Sequence, residues 1–263
     1  MTEYNESGNL VTDSREIATS ETWASQSDWE EYQEKNDIEI DGDTIKLAEF
    51  VLPENDYVSY QFDARTLTGY SDNDAVTSWE DTRVSNETVT GSGTYKTEGI
   101  NSHPAIELDG SNDGFSNFIT TASRPFGLII VLEVSTLDQT ADILGRHTSD
   151  ERTRAGIRDG NWNIFGGGSG IDGSSDSSIQ LLSVWGDSSN TKLREETTQT
   201  VNDDDTSDPE DFEVVGIGYQ PENDVSHLDG KIAFVEVLNE SGVSESDLHN
   251  RENEIADYFD INL

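Results

Sequence analysis

The 263 residues are enough for one large domain with a smaller appendage, and the apolar residues, 32% of the chain, occur in short blocks that can build a core. Against 15 basic residues stand 55 acidic ones; the net charge of −40 argues against nucleic acid as a partner, because a phosphate backbone would meet charge of its own sign. The absence of cysteine excludes disulfides and thiolate metal sites, and the longest apolar run, Phe126 to Leu132, is too short for membrane insertion.

The acidic residues are distributed over the whole chain rather than gathered in one tail. They run from Glu3 to Asp260 and alternate with apolar residues. In dilute buffer such a surface destabilises the compact state by self-repulsion. At molar salt the Debye length falls to roughly 3 Å, and most of this repulsion is screened. The pattern predicts a protein adapted to a hypersaline environment.

Residues 1–49 predict a small module that does not stand alone. The first 20 or so residues are polar and predict an extended arm held by a partner subunit. Ser27 and Glu30 form a capping-box pattern for a short helix, and alternating apolar residues on either side of Asp41-Gly42 predict a β-hairpin. These elements bury little surface, so we expect residues 1–49 to oligomerise or to anchor the chain to a larger assembly.

The N-terminus has no basic region followed by an apolar stretch, so we expect no secretory signal. Export by that route is therefore not expected.

From Phe50 onward the chain predicts an antiparallel β-sandwich or barrel. Apolar blocks of strand length alternate with Gly, Asn, Asp and Ser clusters, which are typical of tight turns. The chain ends in a predicted helix, with a cap at Ser244 and Asp247 and an apolar face that we expect to pack across one sheet. The predicted strands include 57–62, 75–79, 126–134, 179–185, 212–219 and 231–238.

Five segments in order resemble the LamG-like, concanavalin A-like lectin and glucanase domains. The resemblance implies an all-β, concanavalin A-like jelly-roll sandwich of two antiparallel sheets with a short C-terminal helix, covering residues 50–263 after the N-terminal helix and hairpin module. It implies that Trp79, Phe62 and Phe234 are core residues. The segments are 60–67, 72–81, 99–113, 230–237 and 244–261.

Domains of this kind in salt-adapted proteins resemble spike modules of tailed viruses of halophilic archaea. This resemblance implies a structural virion protein, a capsid turret, head fibre or tail fibre, that is assembled in the host cytoplasm and displayed on the virion surface. The implied partners are further copies of the chain, other virion proteins bound through residues 1–49, and a host cell-surface glycan or glycoprotein. A cellular adhesin or an S-layer-associated domain is an alternative.

One segment is locally basic in this acidic chain and predicts a glycan- or receptor-binding surface. Planar, bidentate donors and an aromatic face suit sugar recognition. The alternative is that the arginines pair with Asp150, Glu151 and Asp159 or with a neighbouring subunit. The candidate residues are Arg146, His147, Arg152, Arg154, Arg158, Asn161, Trp162 and Asn163.

Two acidic turns are candidate cation sites. Carboxylate, amide and carbonyl oxygens are the ligands of hard cations, so Ca²⁺ or Mg²⁺ is the expected ion. Neither turn fits an EF-hand loop, and ordinary Asx turns are the alternative. The candidate ligands are Asp72, Asn73, Asp74, Asp109, Asn112 and Asp113.

The sequence gives little sign of catalysis, and we expect no enzyme. The nearest match to the paired carboxylates of jelly-roll glycoside hydrolases is the segment Glu39 to Asp43, but its glycine falls in the predicted hairpin turn, upstream of the sandwich. No Gly-x-Ser-x-Gly nucleophile elbow is present. A halophilic hydrolase of cell-surface polysaccharide is the alternative function.

Overall fold

The computed structural model describes the backbone of four short strands near the N-terminus and residues 52–83, 87–147, 152–166, 170–178, 180–188, 190–203, 211–221 and 225–261. The chain divides into two compact units, Met1–Leu52 and Pro53–Leu263.

The first unit contains a four-stranded antiparallel sheet. Its strands are β1 (Thr2–Tyr4), β2 (Leu10–Val11), β3 (Ile38–Asp41) and β4 (Thr44–Leu47), in the order β2-β1-β4-β3. The predicted hairpin is confirmed, because β3 pairs antiparallel with β4. The predicted arm contributes strands β1 and β2 to this sheet. The predicted helix at 27–35 lies outside the described residues.

The second unit is built from strands, as the sequence predicts. A short 3-10 helix, Ala64–Thr66, follows its first strand, and one α-helix, α1 (Glu245–Tyr258), ends it. The strands are β5 (Val58–Asp63), β6 (Ala75–Glu80), β7 (Thr88–Ile100), β8 (His103–Asp109), β9 (Gly114–Ala122), β10 (Phe126–Val134), β11 (Ala141–His147), β12 (Arg152–Arg158), β13 (Asn161–Gly166), β14 (Gly170–Asp172), β15 (Leu181–Gly186), β16 (Thr191–Glu195), β17 (Thr198–Asp203), β18 (Phe212–Ile217) and β19 (Asp229–Leu238).

The long strand β7 joins two layers of sheet. Its first half pairs with β9 and β6, and its second half pairs with β8. One layer therefore runs β14-β13-β12-β11-β18-β9-β7, and the other runs β8-β19-β10-β15-β16-β17, with β5 beside the end of β19. Gly91 allows the strands to approach closely at the junction, because a Cβ there would lie 1.9 Å from the carbonyl oxygen of Gly114.

Aromatic side chains fill the space between the layers. Trp79 is fully buried and contacts the rings of Phe62 and Phe115 edge-on, at centroid distances of 5.7 and 6.0 Å. Trp79 and Phe62 are thus core residues, as the resemblance implies. Phe234 is also buried, but its ring packs on Phe259 beyond α1, on the other face of its sheet.

The helix α1 covers the outer face of the second layer. It begins with the predicted capping box, in which Ser244 and Asp247 bond each other's backbone amides. Leu248 and Ile255 are buried on its inner face, which packs over β10 and β15. None of the described helices has the length and apolar character that crossing a membrane requires.

Charged groups are buried between α1 and the sheet. The Arg251 guanidinium, 1% exposed at its side chain, lies 2.8 Å from the Glu236 carboxylate, which is fully buried. Arg194 and Glu252 form a second pair at 2.8 Å. Burial raises the pKa of Glu236, and the hydrogen bond from Arg251 opposes that shift. The helix is therefore fixed by ion pairs as well as by apolar contacts.

Candidate functional site

The locally basic segment forms three neighbouring strands, β11, β12 and β13. Thr153 lies opposite Arg146, Arg152 opposite His147, and Asn161 opposite Arg158. Arg158 is exposed and Asn161 is partly exposed, next to the tight turn between β12 and β13. The side chains of Arg146, His147 and Arg152 lie outside the described part of the structure.

Trp162 is a core residue and offers no face to a ligand. Its side chain is fully buried, and its indole N–H donates a hydrogen bond of 2.8 Å to the carbonyl oxygen of Asp176. The prediction of a sugar-stacking role for Trp162 therefore conflicts with its position. Alternation along a strand does not show which face of the sheet is buried, so the sequence alone could not place Trp162 in the core.

Arg154 and Asn163 belong to a row of polar side chains that crosses four strands and is buried except at Asp172, its exposed end. The Arg154 guanidinium lies 3.7 Å from Asp142 on β11 and donates to the Asn163 amide oxygen at 3.2 Å. Asn163 in turn donates to Asp172 on β14 at 2.8 Å. Gly156 lies between Asp142 and Asn163 in the register and lets β11 and β12 approach closely, because a Cβ there would lie 2.2 Å from the carbonyl oxygen of Ala141. Arg154 and Asn163 thus serve pairing within the chain rather than an open binding surface.

The turn at Asp109 is an Asx turn. One carboxylate oxygen of Asp109 accepts hydrogen bonds from the amides of Ser111, Asn112 and Asp113, at 2.8, 2.9 and 3.2 Å. These amides hold the pKa of Asp109 below its ordinary value. The carboxylate of Asp113 accepts from Ser92 at 2.6 Å.

The turn at Asp72 is also closed by its own hydrogen bonds. Asp74 accepts from the amide of Ser71, Asn73 donates to Asp72, and the Asn73 oxygen accepts from Lys96 at 2.7 Å. Among the described residues, no three His, Asp or Glu side chains are grouped so that they could hold a metal ion. A bound Ca²⁺ or Mg²⁺ stays a prediction from the sequence.

A polar cavity of about 400 Å³ opens beside β6, where the sequence predicted no site. One wall is the loop that follows the 3-10 helix, and the other is the second half of β6 with the two residues beyond it. Its volume falls within the range of roughly 300–1,000 Å³ that is usual for small-ligand clefts. The lining residues are Thr66, Leu67, Thr68, Tyr70, Ser78, Glu80, Asp81 and Thr82.

The loop wall is held by local hydrogen bonds and by the core. Asp63 caps the 3-10 helix by accepting from the amide of Arg65 at 2.8 Å, and the Thr66 hydroxyl donates to the Asp63 carbonyl oxygen. Leu67 packs against the core, and the Tyr70 ring lies 5.6 Å from the buried Tyr95 ring. The aromatic side chain at the cavity is therefore held in place by the core.

The strand wall is set by the alternation of β6. Trp79 points into the core, so its neighbours Ser78 and Glu80 lie on the opposite face, where they line the cavity. Asp81 is buried and accepts from the amides of Gln61 and Arg83 at 2.8 and 3.0 Å. The bond from Gln61 joins the end of β6 to β5, and both bonds hold Asp81 in its place in the lining.

The cavity is rich in hydroxyl groups and carries negative charge. Four Ser or Thr hydroxyls, one phenol and two carboxylates line it, and among the residues that the structure describes no lysine, arginine or histidine does so. Such a lining accepts hydrogen bonds from the hydroxyls of a ligand, while a tyrosine ring offers apolar contact. The signal in the sequence was the polar residues on both sides of Trp79, Ser78 before it and Glu80, Asp81 and Thr82 after it, which strand patterning treats as ordinary exposed positions.

Two described carboxyls with raised pKa lie away from this cavity. Burial raises the pKa of Asp63, whose side chain accepts from the Tyr258 hydroxyl at 2.7 Å, and likewise that of Glu236 beside Arg251. Perturbed carboxyls are candidates for acid–base catalysis. Both are occupied by structural partners near α1, and neither lines the cavity.

Solved structures share the fold of this chain. The binding domain of Paraclostridial mosquitocidal protein 1 matches with a TM-score of 0.50 and 10% identity, over 75% of this chain and 52% of that one. The binding domain of botulinum neurotoxin DC, in complex with SialylT, matches with a TM-score of 0.53 and 11% identity, over 76% and 51%. Botulinum neurotoxin type C, whose cell entry depends upon interaction with two ganglioside molecules, matches with a TM-score of 0.50 and 12% identity, over 75% and 51%.

These similarities establish the class of fold. The chain is a jelly-roll sandwich, as its sequence predicts. It spans about half the length of the matched structures. No protein-family model matches the chain, and no curated protein matches it.

Proposed function

We propose that this chain is a non-enzymatic, surface-displayed binding protein whose jelly roll adheres to glycans or glycoproteins. The observation that carries the proposal is the hydroxyl-lined cavity beside β6, anchored on a rigid sandwich. The fold supports it, because binding domains with the same architecture include one solved with SialylT and one described by its ganglioside interaction. Fold alone does not assign a ligand, so the cavity carries the argument.

The wider role that we propose is in the virion of a tailed virus of halophilic archaea. The chain would form a capsid turret or a fibre, display the jelly roll towards the host surface, and attach through residues 1–49 to copies of itself and to other virion proteins. The net charge of −40 supports a hypersaline setting. A cellular adhesin with the same domain would bind in the same way but would be absent from virus particles.

The proposal of a binding protein rather than a hydrolase rests on the positions of the acidic side chains. Glu80 and Asp81 are consecutive, and Asp81 is held in the interior by two backbone amides while Glu80 is exposed. A retaining hydrolase needs two carboxyls that converge at about 5 Å on one bond of the substrate. The glutamate and the aspartate of this cavity differ in burial and in bonding, which supports a role in binding over a paired role in hydrolysis.

The virion proposal is tested by labelling purified haloarchaeal virus particles with antibody against this chain and imaging them by electron microscopy. We expect regularly placed label on heads or tails. Purified chain carrying a fluorescent tag should also adhere to host cells, and deglycosylation of those cells should remove the adhesion. Unlabelled particles would overturn the virion role, and adhesion that survives deglycosylation would overturn glycan binding.

A further inference from the structure

The side chains that line the cavity beside β6 limit the chemical class of its ligand, whereas the fold alone does not. Among the described residues that line it, the charged groups are the carboxylates of Glu80 and Asp81, and the other polar side chains carry hydroxyls. An ionised carboxylate only accepts hydrogen bonds, so it pairs with ligand groups that donate. Sugar hydroxyls donate, whereas the carboxylate or sulfate of an acidic sugar cannot, and it would meet like charge.

From these observations, and resting on the proposed glycan-binding function, we infer that the cavity is the sugar-binding site and that it selects neutral saccharides over acidic ones. Tyr70 supplies the aromatic surface for the apolar face of a sugar ring, Glu80 accepts hydrogen bonds from ligand hydroxyls, and Ser78 borders the space between them. Acidic sugars are disfavoured by these carboxylates, which a ligand bound in the cavity would meet directly.

The walls of the site are held by contacts within the chain, which favours a site that changes little when a ligand binds. The 3-10 helix, the ring pair Tyr70–Tyr95 and the bonds of Asp81 to β5 fix both sides. A preformed site avoids the entropic cost of ordering loops when the ligand binds. Glu80 is the one exposed carboxylate of the lining, so its substitution changes the charge of the site without disturbing buried bonds.

The test compares oligosaccharides that differ only by a terminal sialic acid, using calorimetry with the full chain in molar potassium chloride. We expect the neutral form to bind at least about tenfold more tightly, since like charge at a binding site is costly. Glu80→Gln should weaken binding of the neutral oligosaccharide by about tenfold, because a charged acceptor becomes a neutral one. It should also reduce the ratio of the affinities for the neutral and the sialylated form. Ser78→Gln, which places bulk in the cavity, should abolish binding.

Three controls keep the outcomes distinct. Glu98→Gln makes the same change at an exposed position outside the lining and should leave binding unchanged. Tyr70→Phe keeps the ring and should retain most of the affinity, and unchanged circular dichroism shows that each variant is folded. Glycan binding that Glu80→Gln and Ser78→Gln leave intact would overturn the site but not the proposed function. Tighter binding of the sialylated form would overturn the selectivity, and binding of no glycan would overturn both.

Discussion

At the scale of single residues, two aspartates respond to their surroundings in opposite directions. Asp63 is almost fully buried, and desolvation raises its pKa although Tyr258 and Arg65 bond it. Asp109 is exposed, and three backbone amides lower its pKa. Asp63 ends β5 and Asp109 ends β8, so the strand pattern alone does not show which carboxylate loses stability on folding and which gains it.

These opposite shifts predict opposite effects of pH on stability. The pKa of Asp63 is higher in the folded chain than in the unfolded one. The stability that this shift contributes is fully present below the unfolded-state pKa and is lost as the pH rises through the folded-state pKa. Asp63→Asn cannot ionise, so its stability relative to the native chain should improve from acidic to neutral pH. Denaturant unfolding at a series of pH values measures this difference.

Asp109→Asn serves as the control, because its stability relative to the native chain should change with pH in the opposite direction. A lowered pKa contributes stability above the ordinary carboxyl pKa, and that contribution is lost as the pH falls through the lowered value. The variant should therefore be weaker than the native chain at neutral pH and should approach it in acid. Parallel pH profiles for the two variants would contradict this account of both aspartates.

The limits of sequence reasoning at a site are also clearest in single residues. Trp162, Arg154 and Asn163 looked like an exposed recognition surface because composition shows local enrichment but not which face of a strand is covered. The cavity beside β6 was missed because Tyr70 and Glu80 come from different elements that only the fold brings together. Arg158 and Asn161 lie at the turn between β12 and β13, and their predicted role in glycan or receptor binding stays a prediction.

At the scale of elements, patterning predicted most of what the structure contains. The strand β10 coincides with its predicted block, and α1 begins at the predicted cap, because alternation and capping are local properties. Pairing order is not local. The crossing of β7 between two layers depends on contacts between segments far apart in the chain, which alternation and capping patterns do not report.

The buried ion pairs beneath α1 should make that element sensitive to loss of one partner. Arg251→Met leaves the fully buried Glu236 carboxylate without its main partner, and we expect a loss of about 3–5 kcal/mol in the free energy of unfolding. Combining it with Glu236→Leu removes both charges and should recover much of that loss. Denaturant unfolding of the single and double variants measures both values.

A surface change on the same helix provides the comparison. Asp257→Asn alters an exposed side chain of α1 and should change stability by no more than about 0.5 kcal/mol. If Arg251→Met costs as little as Asp257→Asn, the buried pair does not hold the helix in place.

At the scale of the whole molecule, the dominant property is the net charge of −40. Many of the described basic side chains form ion pairs. In two of them, Lys231 with Glu133 and Lys192 with Glu245, the ammonium nitrogen lies 2.7 Å from a carboxylate oxygen. The remaining carboxylates repel one another unless counter-ions screen them. We expect dialysis from molar salt to low ionic strength to unfold the chain or dissociate its oligomers, as followed by circular dichroism and light scattering. Full retention of structure would contradict adaptation to high salt.

The central claim is that this jelly roll holds glycans without cleaving them. The most direct measurement incubates the full chain at molar salt with a neutral oligosaccharide, records binding by calorimetry, and then analyses the same sample for cleavage products by mass spectrometry. We expect saturable binding, weakened by Glu80→Gln, and recovery of the intact oligosaccharide. Release of shorter products that Glu80→Gln abolishes, or failure of any glycan to bind, would contradict the account.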